Sequence, residues 1–177
     1  IATVEAILDC GAIPRLCKIN NNLNIDCESL ERLINENTGA IIPVHMLGIL
    51  GDIEDLYKIK TKYEIPIIED NCEAIGSMYK DKYAGNLFDI GVFSFDHGKM
   101  IACGEGGAVL TNSQEINQFI SSYSDHGHEL VPDIPRGIDK AIIPGFNYRM
   151  TEMQAAVGKV QLKKLKNMIY LNKIRYE

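Results

Sequence analysis

The sequence predicts an α/β fold, a three-layer sandwich in which helices cover both faces of a mostly parallel sheet. Two observations lead to this prediction. Short apolar segments alternate with amphipathic stretches, and the order of elements is α-β-α-β-α-β, followed by β-β-α, a long loop and a last helix. Strands separated by helices imply parallel β-α-β units. In such sheets, ligands bind at the carboxyl ends of the strands.

Helices in the first half are predicted where an amphipathic stretch lies next to a capping residue. Asp26 and Asp52 are expected N-terminal caps, and Gly11 ends the first helix with a favourable C-terminal cap. These helices are predicted at residues 2–9, 26–35 and 52–63.

Strands in the same half are of two kinds. The first alternates polar and apolar residues, and the other two are apolar runs typical of buried strands. Pro43 interrupts the second of the three. The predicted strands cover residues 15–19, 40–47 and 65–70.

The second half predicts a β-hairpin, two further strands and two helices separated by a long loop. Thr151 or Asn147 is expected to cap the last helix. A structureless stretch as long as this loop is usually functional or disordered. The hairpin covers residues 78–85, the strands 89–95 and 107–111, the helices 113–123 and 151–170, and the long loop 124–147.

Composition and charge exclude several classes of protein. The 177 residues are 46% hydrophobic and 24% charged, which is ordinary for a globular domain. A formal net charge of −6 argues against nucleic-acid binding, which usually needs a basic face. No apolar run approaches the length of a membrane span, and no secretory leader opens the chain. Because the first residue is isoleucine, we expect a piece cut from something longer.

The five cysteines predict neither a disulfide framework nor a zinc site. Their number is odd, their spacings are wide and no C-x-x-C occurs. No pair of the four histidines has H-x-x-x-H spacing, so no metal site is expected. We expect reduced, mostly buried thiols in a cytoplasmic protein.

Two candidate residues for chemistry stand near predicted strand ends. Asp70 is the first residue clear of an apolar strand, although a helix cap or a solvated acid would be placed in the same way; Glu69 is the competing acid. Lys99 lies between a strand end and the glycine-rich residues 104–107, which restricts its motion. A lone lysine is usually a surface charge, but a half-buried lysine is a nucleophile toward carbonyl groups. The glycines match no dinucleotide or P-loop fingerprint and favour a tight turn.

Ordered sequence blocks then carry a specific resemblance. They read AIIPVHMLGILGDIEDL, IIEDNCEAIGSMYKDKYAGNLFDIGVFSFDHGKMIACGEGGAVLTN and GFNYRMTEMQAAVGKVQLKKL. Their text and spacing resemble the DegT/DnrJ/EryC1/StrS family, the pyridoxal-phosphate-dependent sugar-nucleotide aminotransferases, over essentially the whole chain. The resemblance implies an aspartate-aminotransferase-like large domain that is incomplete. Residues 1–177 would be its central part, without the N-terminal segment and the C-terminal small domain.

The resemblance implies roles for five residues. Lys99 matches the catalytic lysine that forms a Schiff base with pyridoxal phosphate, Asp70 the acid that pairs with the pyridine nitrogen, and Ser94 a ligand of the cofactor phosphate. Asn147 matches a phosphate-contacting residue that reaches the site from the partner subunit, which implies a homodimer. Glu73 stands where the family often has histidine or glutamine near the cofactor ring, so its role is open.

The resemblance also implies a reaction. The preferred interpretation is transfer of an amino group from an amino acid, with glutamate as the expected donor, to a keto sugar nucleotide, with Lys99 also moving the proton. One branch of the family replaces the lysine with histidine and dehydrates sugars at position 3, and the segment EDNCEA is similar to that branch. An inactive truncated fragment is a further alternative. A dinucleotide-binding domain is the weakest, because no glycine fingerprint follows a strand.

Overall fold

The computed structural model describes residues 1–135 and 137–176 and shows helices around a small central sheet. The helices are α1 (Ala2–Asp9), α2 (Cys27–Glu31), α3 (Ile53–Tyr63), α4 (Gln114–Tyr123) and α5 (Glu152–Tyr176), with a 3₁₀ turn at Met46–Gly48. The strands are β1 (Ile68–Asp70), β2 (Met78–Tyr79), β3 (Lys82–Tyr83), β4 (Ile90–Ser94) and β5 (Gly107–Thr111). The predicted order of helices and strands is therefore largely present.

The central sheet is mixed. Its strand order is β1-β4-β5, with β1 parallel to β4 and β4 antiparallel to β5, while β2 and β3 form a separate hairpin. Two parallel bridges, Ile41 with Ile67 and Val44 with Asp70, continue the sheet beyond β1. The predicted α/β class is confirmed, but only part of the pairing is parallel.

The predicted strand over residues 40–47 is wrong as a regular strand. The Pro43 carbonyl accepts a hydrogen bond from the Asp70 N–H at 2.9 Å, but the proline nitrogen has no hydrogen to donate to β1. The ladder is therefore reduced to isolated bridges. The His45 N–H donates to the Asp70 carbonyl at 3.0 Å, so this segment still fixes the end of β1.

Capping residues place the helix starts as predicted. Asp26 and Asp52 each accept a hydrogen bond from the backbone N–H three residues later, at 2.6 and 3.4 Å. The Thr151 hydroxyl accepts from the Gln154 N–H, and the Gln154 side chain accepts from the Thr151 N–H. This reciprocal pair is a capping box, so Thr151 caps α5 and Asn147 does not.

Other boundaries differ from the prediction. The predicted strand over residues 15–19 shows a single bridge, between Ile19 and Ile25, because its alternation finds no further partner among the described residues. Helix α2 is shorter than predicted, and the Asn35 side chain caps a turn just after it. Helix α5 continues six residues further, to Tyr176. No helix in the described ranges is both long and apolar enough to cross a membrane.

The long loop contains regular contacts and is not structureless. Asp125 bridges to Asn147 and His128 to Ala141, each in antiparallel fashion. His128 Nδ1 lies 3.0 Å from an Asp139 carboxylate oxygen, and this pair is largely buried. The loop therefore folds back on itself and places Asn147 at its base.

The hydrophobic core packs α2 and α3 against the residues that lead into β1. Leu56 and Ile67 are completely buried at its centre. Burying a side chain of this size contributes about 1.5–3 kcal/mol. The cluster consists of Leu30, Ile41, Ile53, Leu56, Ile59, Ile65, Ile67, Leu87 and Phe88. The core thus holds the strand whose last residue is Asp70.

The cysteines are all free, as expected, but they are not mostly buried. Only Cys103 is buried, and Cys10 is exposed. Burial raises the pKa of Cys27 to about 11, and burial together with the Asp70 carboxylate raises that of Cys72 to about 12. These two thiols therefore stay protonated at neutral pH.

Candidate active site

The adjacent ends of β1 and β4 form the floor of the candidate site. The register pairs Asp70 with Val92, and Ser94 follows two residues later at the end of β4. Paired residues of neighbouring strands, and residues two apart on one strand, lie on the same face of a sheet. Asp70 and Ser94 therefore share one face, at the edge where α/β sheets bind ligands.

Asp70 is held in a defined orientation. Asp70 is only 9% exposed. One of its carboxylate oxygens accepts a hydrogen bond from the Thr3 hydroxyl at 2.7 Å, and the other accepts one from the Cys72 N–H at 3.1 Å. Thr3 lies in the first turn of α1, so a contact across 67 positions fixes the acid. A fixed, nearly buried carboxylate is suited to pairing with a cationic ring nitrogen.

Lys99 lies in the segment between β4 and β5. The Phe95 N–H donates to the Gly106 carbonyl and the Cys103 N–H donates to the Phe95 carbonyl, so the base of this segment is closed. Within it, the Lys99 N–H donates to the Asp96 carbonyl at 3.0 Å. The lysine side chain is 26% exposed, which agrees with the expected restricted, half-buried amine.

The charges of Asp70 and Lys99 both influence the pKa of the Cys72 thiol. Burial raises the pKa of its thiol most, the hydrogen bond to Asp70 and the Asp70 charge raise it further, and the Lys99 ammonium lowers it. The pKa of this half-buried thiol therefore depends on both groups. Lys99 can serve the same site as Asp70 if the two residues meet across neighbouring strand ends, and their shared influence on Cys72 is consistent with this condition.

Glu73 joins this cluster through both carboxylate oxygens. Oε2 accepts a hydrogen bond from the Leu47 N–H at 3.0 Å, and Oε1 lies 3.9 Å from the Lys99 Nζ. The glutamate that departs from the family pattern is thus an ionic neighbour of the candidate catalytic lysine.

Ser94 contacts the segment that carries Lys99. Its hydroxyl oxygen accepts a hydrogen bond from the Asp96 N–H at 3.2 Å. A hydroxyl that accepts one hydrogen bond can still donate its own hydrogen, which is what a phosphate ligand must do.

Asn147 is not brought to this cluster within the chain. It is exposed and pairs with Asp125 at the base of the long loop. Among residues 1–135 and 137–176, no hydrogen bond links its side chain to Asp70, Ser94 or Lys99. Its assigned role needs a second subunit and stays a prediction.

A buried polar network behind the site was not predicted from the sequence. Glu69 points to the opposite face from Asp70 and has no exposed surface; its carboxylate accepts hydrogen bonds from the N–H groups of Gly85 (2.8 Å), Leu87 (2.8 Å) and Phe88 (3.0 Å). Burial alone would raise the pKa of Glu69, but these bonds and His45 hold it below its ordinary value. Alternation from Asp70 along the apolar strand was the available signal that Glu69 is buried.

His45 completes this network. Its Nδ1 accepts from the Gly51 N–H at 3.2 Å, so the ring hydrogen belongs on Nε2, which lies 3.5 Å from Glu69 Oε2. Gly91 permits the close approach of the Glu69-bound loop, because a Cβ atom there would lie 2.3 Å from the Gly85 backbone. The network ties three segments to the end of β1.

One further polar group lies near Lys99. Ligand atoms of Asp96, His97 and Glu105 lie within 4.8 Å of one another, and the His97 Nδ1 is 2.7 Å from Asp96 Oδ1. His97 and Glu105 are exposed, and exposed acidic groups are commonly this close without an ion. We assign no metal to them.

The fold is that of part of the large domain of the pyridoxal-phosphate-dependent transferases. More particularly, the chain belongs to the DegT/DnrJ/EryC1/StrS aminotransferase family, whose sequence model matches residues 1–176. The resemblance inferred from the sequence is therefore confirmed.

Three known proteins illustrate the relationship. A Helicobacter pylori UDP-4-amino-4,6-dideoxy-N-acetyl-beta-L-altrosamine transaminase is 38% identical, across 93% of this chain and 43% of its own length. An Escherichia coli O55:H7 GDP-4-keto-6-deoxy-D-mannose 3-dehydratase is 34% identical, across 84% and 42%. The X-ray structure of an aminotransferase from Psychrobacter cryohalolentis superposes with a TM-score of 0.88 at 32% identity, across 94% and 44%. The chain thus spans less than half the length of these relatives.

Pyridoxal phosphate is the cofactor of this family, and the residues present fit it. The cofactor requires a primary amine for its aldehyde, a carboxylate for its ring nitrogen and hydrogen-bond donors for its phosphate. Lys99, Asp70 and Ser94 carry groups of these three kinds and would hold the cofactor at this edge of the sheet. Their chemistry and their shared location are both consistent with the cofactor.

Proposed function

We propose that this chain is the central part of the large domain of a pyridoxal-phosphate-dependent aminotransferase that moves an amino group from an amino acid, with glutamate as the expected donor, to a keto sugar nucleotide. The observation that carries the proposal is the shared edge of β1 and β4. The hydrogen-bonded Asp70 carboxylate lies there on the same face as Ser94, and Glu73, three residues after Asp70, approaches the Lys99 Nζ to 3.9 Å. The chain covers under half of the length of its relatives, which supports the proposal that the N-terminal segment and the small domain of the enzyme lie outside these residues.

Each site residue has a separate task in this proposal. Lys99 is the amine that condenses with the cofactor and afterwards carries the proton between substrate and cofactor carbons. Asp70 holds a proton on the ring nitrogen, which makes the bound cofactor an electron sink. Ser94 donates to the phosphate, Glu73 lies near the ring, and Asn147 reaches the phosphate of the partner subunit in a homodimer.

The physical argument for Lys99 rests on its surroundings. It is attached to a segment closed by hydrogen bonds on both sides, which limits the conformations that the side chain must lose in the reacting geometry. The Thr3 and Cys72 hydrogen bonds similarly orient Asp70 before any ligand arrives. Preorganisation of both groups supports catalysis more directly than their identity alone.

A second candidate is the sugar 3-dehydratase reaction. The relative named as a 3-dehydratase and the EDNCEA segment favour it. Lys99 favours transamination, because the dehydrating branch carries histidine at this place. Supplying glutamate and a keto sugar nucleotide discriminates the two: net amino transfer forms an amino sugar and 2-oxoglutarate, whereas dehydration leaves a deoxy sugar. An inactive fragment would do neither.

The first test is spectroscopic. The gene product that contains these residues is mixed with pyridoxal phosphate, and the visible absorption of the lysine-bound cofactor is recorded. Lys99→Ala is expected to abolish this absorption, and Lys82→Ala, which removes an exposed lysine of the β2-β3 hairpin, should leave it unchanged. Persistence of the band in Lys99→Ala would show that another amine reacts.

The predicted homodimer has its own test. Lys99→Ala and Asn147→Ala proteins are each expected to be inactive, and mixing them should restore part of the activity, since one site of the mixed dimer is intact. A mixture without activity would show that each site is built from one chain. The predicted cytoplasmic location is examined by fractionation of cells that carry the gene.

A further inference from the structure

Glu73 connects the candidate lysine with a strained turn. Its Oε1 lies 3.9 Å from Lys99 Nζ, and its Oε2 accepts the Leu47 N–H at 3.0 Å. Its side chain is 36% exposed and that of Lys99 26% exposed, so both groups border the open side of the site. One carboxylate thus links an ammonium group to a backbone amide 26 residues away from it in sequence.

The turn at Met46–Gly48 has an unusual backbone conformation. Leu47 has a φ of 54°, in the left-handed region that residues with a Cβ atom rarely adopt, and its side chain is 70% exposed. Such backbone strain persists only where surrounding contacts hold it, and it clusters at functional sites.

Three contacts from different parts of the chain hold this turn. The buried Asn24 side chain accepts from the Met46 N–H at 3.4 Å, and the Ser77 hydroxyl donates to the Gly48 carbonyl at 2.7 Å. The third is the Glu73 carboxylate, and it is the only one of these three that also approaches Lys99.

We propose that Glu73 is a positioning residue that couples the charge of Lys99 to the order of the Met46–Gly48 turn. The Lys99 ammonium holds the Glu73 carboxylate in place, and the carboxylate in turn holds the Leu47 amide. When Lys99 no longer carries its ammonium charge, the carboxylate loses this tether and turns toward solvent. The exposed Leu47 side chain at the border of the site then becomes mobile.

This coupling extends the proposed function, in which the amine of Lys99 condenses with the cofactor and so loses its ammonium charge, but it uses only residues of this chain. The coupling can therefore be refuted while the cofactor chemistry is confirmed, and the coupling can be confirmed while the cofactor chemistry is refuted. A test on the cofactor-free gene product separates the two, because its readout is hydrogen exchange of the Leu47 amide, and neither activity nor cofactor absorption is measured.

The variants separate the two contacts of the Glu73 carboxylate, the hydrogen bond from the Leu47 N–H and the ion pair with Lys99. Glu73→Ala removes the acceptor and is expected to speed Leu47 exchange about fivefold, the ratio for one ordinary hydrogen bond. Glu73→Gln keeps an acceptor oxygen without the charge, so it isolates the ionic half. Lys99→Met keeps the length of the side chain without the ammonium. Glu73→Gln and Lys99→Met are each expected to speed exchange of the Leu47 amide about twofold.

The decisive comparison is a double-mutant cycle. Lys99→Met should have no further effect on Leu47 exchange once Glu73 is alanine or glutamine. Its twofold effect should persist in Ser77→Ala, the matched control that loosens the turn without touching the ionic pair. If Lys99→Met leaves Leu47 exchange unchanged in the wild type, or acts equally in the Glu73→Gln background, the coupling is refuted. If Glu73→Ala does not fold, the cycle can still be completed with Glu73→Gln.

Discussion

Replacing the buried Glu69 by glutamine should cost more stability than any change at an exposed acid. The carboxylate is fully buried; Oε1 accepts the N–H groups of Leu87 and Phe88, and Oε2 accepts that of Gly85 and faces His45. A glutamine keeps one carbonyl oxygen, which can serve two of these donors. Its NH₂ group must then face the Gly85 N–H, and two donors cannot bond to each other.

The magnitude follows from these contacts. One buried N–H without a partner costs about 1–3 kcal/mol, and each remaining bond weakens by up to about 1 kcal/mol when its acceptor loses the charge. We therefore expect Glu69→Gln to lower the free energy of unfolding by about 3 kcal/mol. Urea denaturation at pH 7 measures this, with Glu54→Gln, an exposed acid, as a control whose midpoint should hardly move.

The pH dependence gives an independent check. The folded-state pKa of Glu69 lies below its ordinary value of 4.5, so its stabilising contribution is complete above that pH and is lost as the pH falls through the folded-state value. The wild type should thus lose more stability than Glu69→Gln on acidification below pH 4.5. A destabilisation under about 0.5 kcal/mol at pH 7, or identical acid profiles, would refute the assigned network.

Three further predictions concern single contacts. Glu64 ends α3 with a φ of 55°, so Glu64→Gly should stabilise the protein by about 0.5–1 kcal/mol in urea denaturation, and a destabilised variant would contradict this. Thr3→Val removes a hydrogen bond to the nearly buried Asp70 carboxylate and should cost about 1–2 kcal/mol by the same assay, while Thr3→Ser should not. Cys72, with its pKa raised to about 12, should react with a thiol reagent at pH 8 at least about 100 times more slowly than the exposed Cys10, followed by mass spectrometry; equal rates would exclude a protonated, half-buried thiol.

Local patterns in the sequence predicted most elements and the main chemical candidates. Capping residues such as Asp26 and Asp52 act over three residues, so helix starts are visible without tertiary information. The end of β1 at Asp70 and the position of Lys99 after β4 were likewise readable, because strand ends follow from short apolar runs. The family resemblance rested on the same local blocks.

Long-range contacts account for what the sequence did not predict. The single amide hydrogen missing at Pro43 breaks a ladder whose partner strand lies more than 20 residues away. The antiparallel pairing of β5 with β4 also depends on how the intervening segment turns back, and apolar periodicity is the same for either direction.

The sequence by itself therefore established the class of fold and the family, and it predicted Lys99 and Asp70 as the chemical candidates. The orientation of these groups came only from the folded chain: Thr3 reaches Asp70 across 67 positions, and Glu73 reaches the Leu47 turn across 26. Periodicity and capping describe neighbours within one helix or strand. Hydrogen bonds between distant segments depend on three-dimensional packing, which no local pattern encodes.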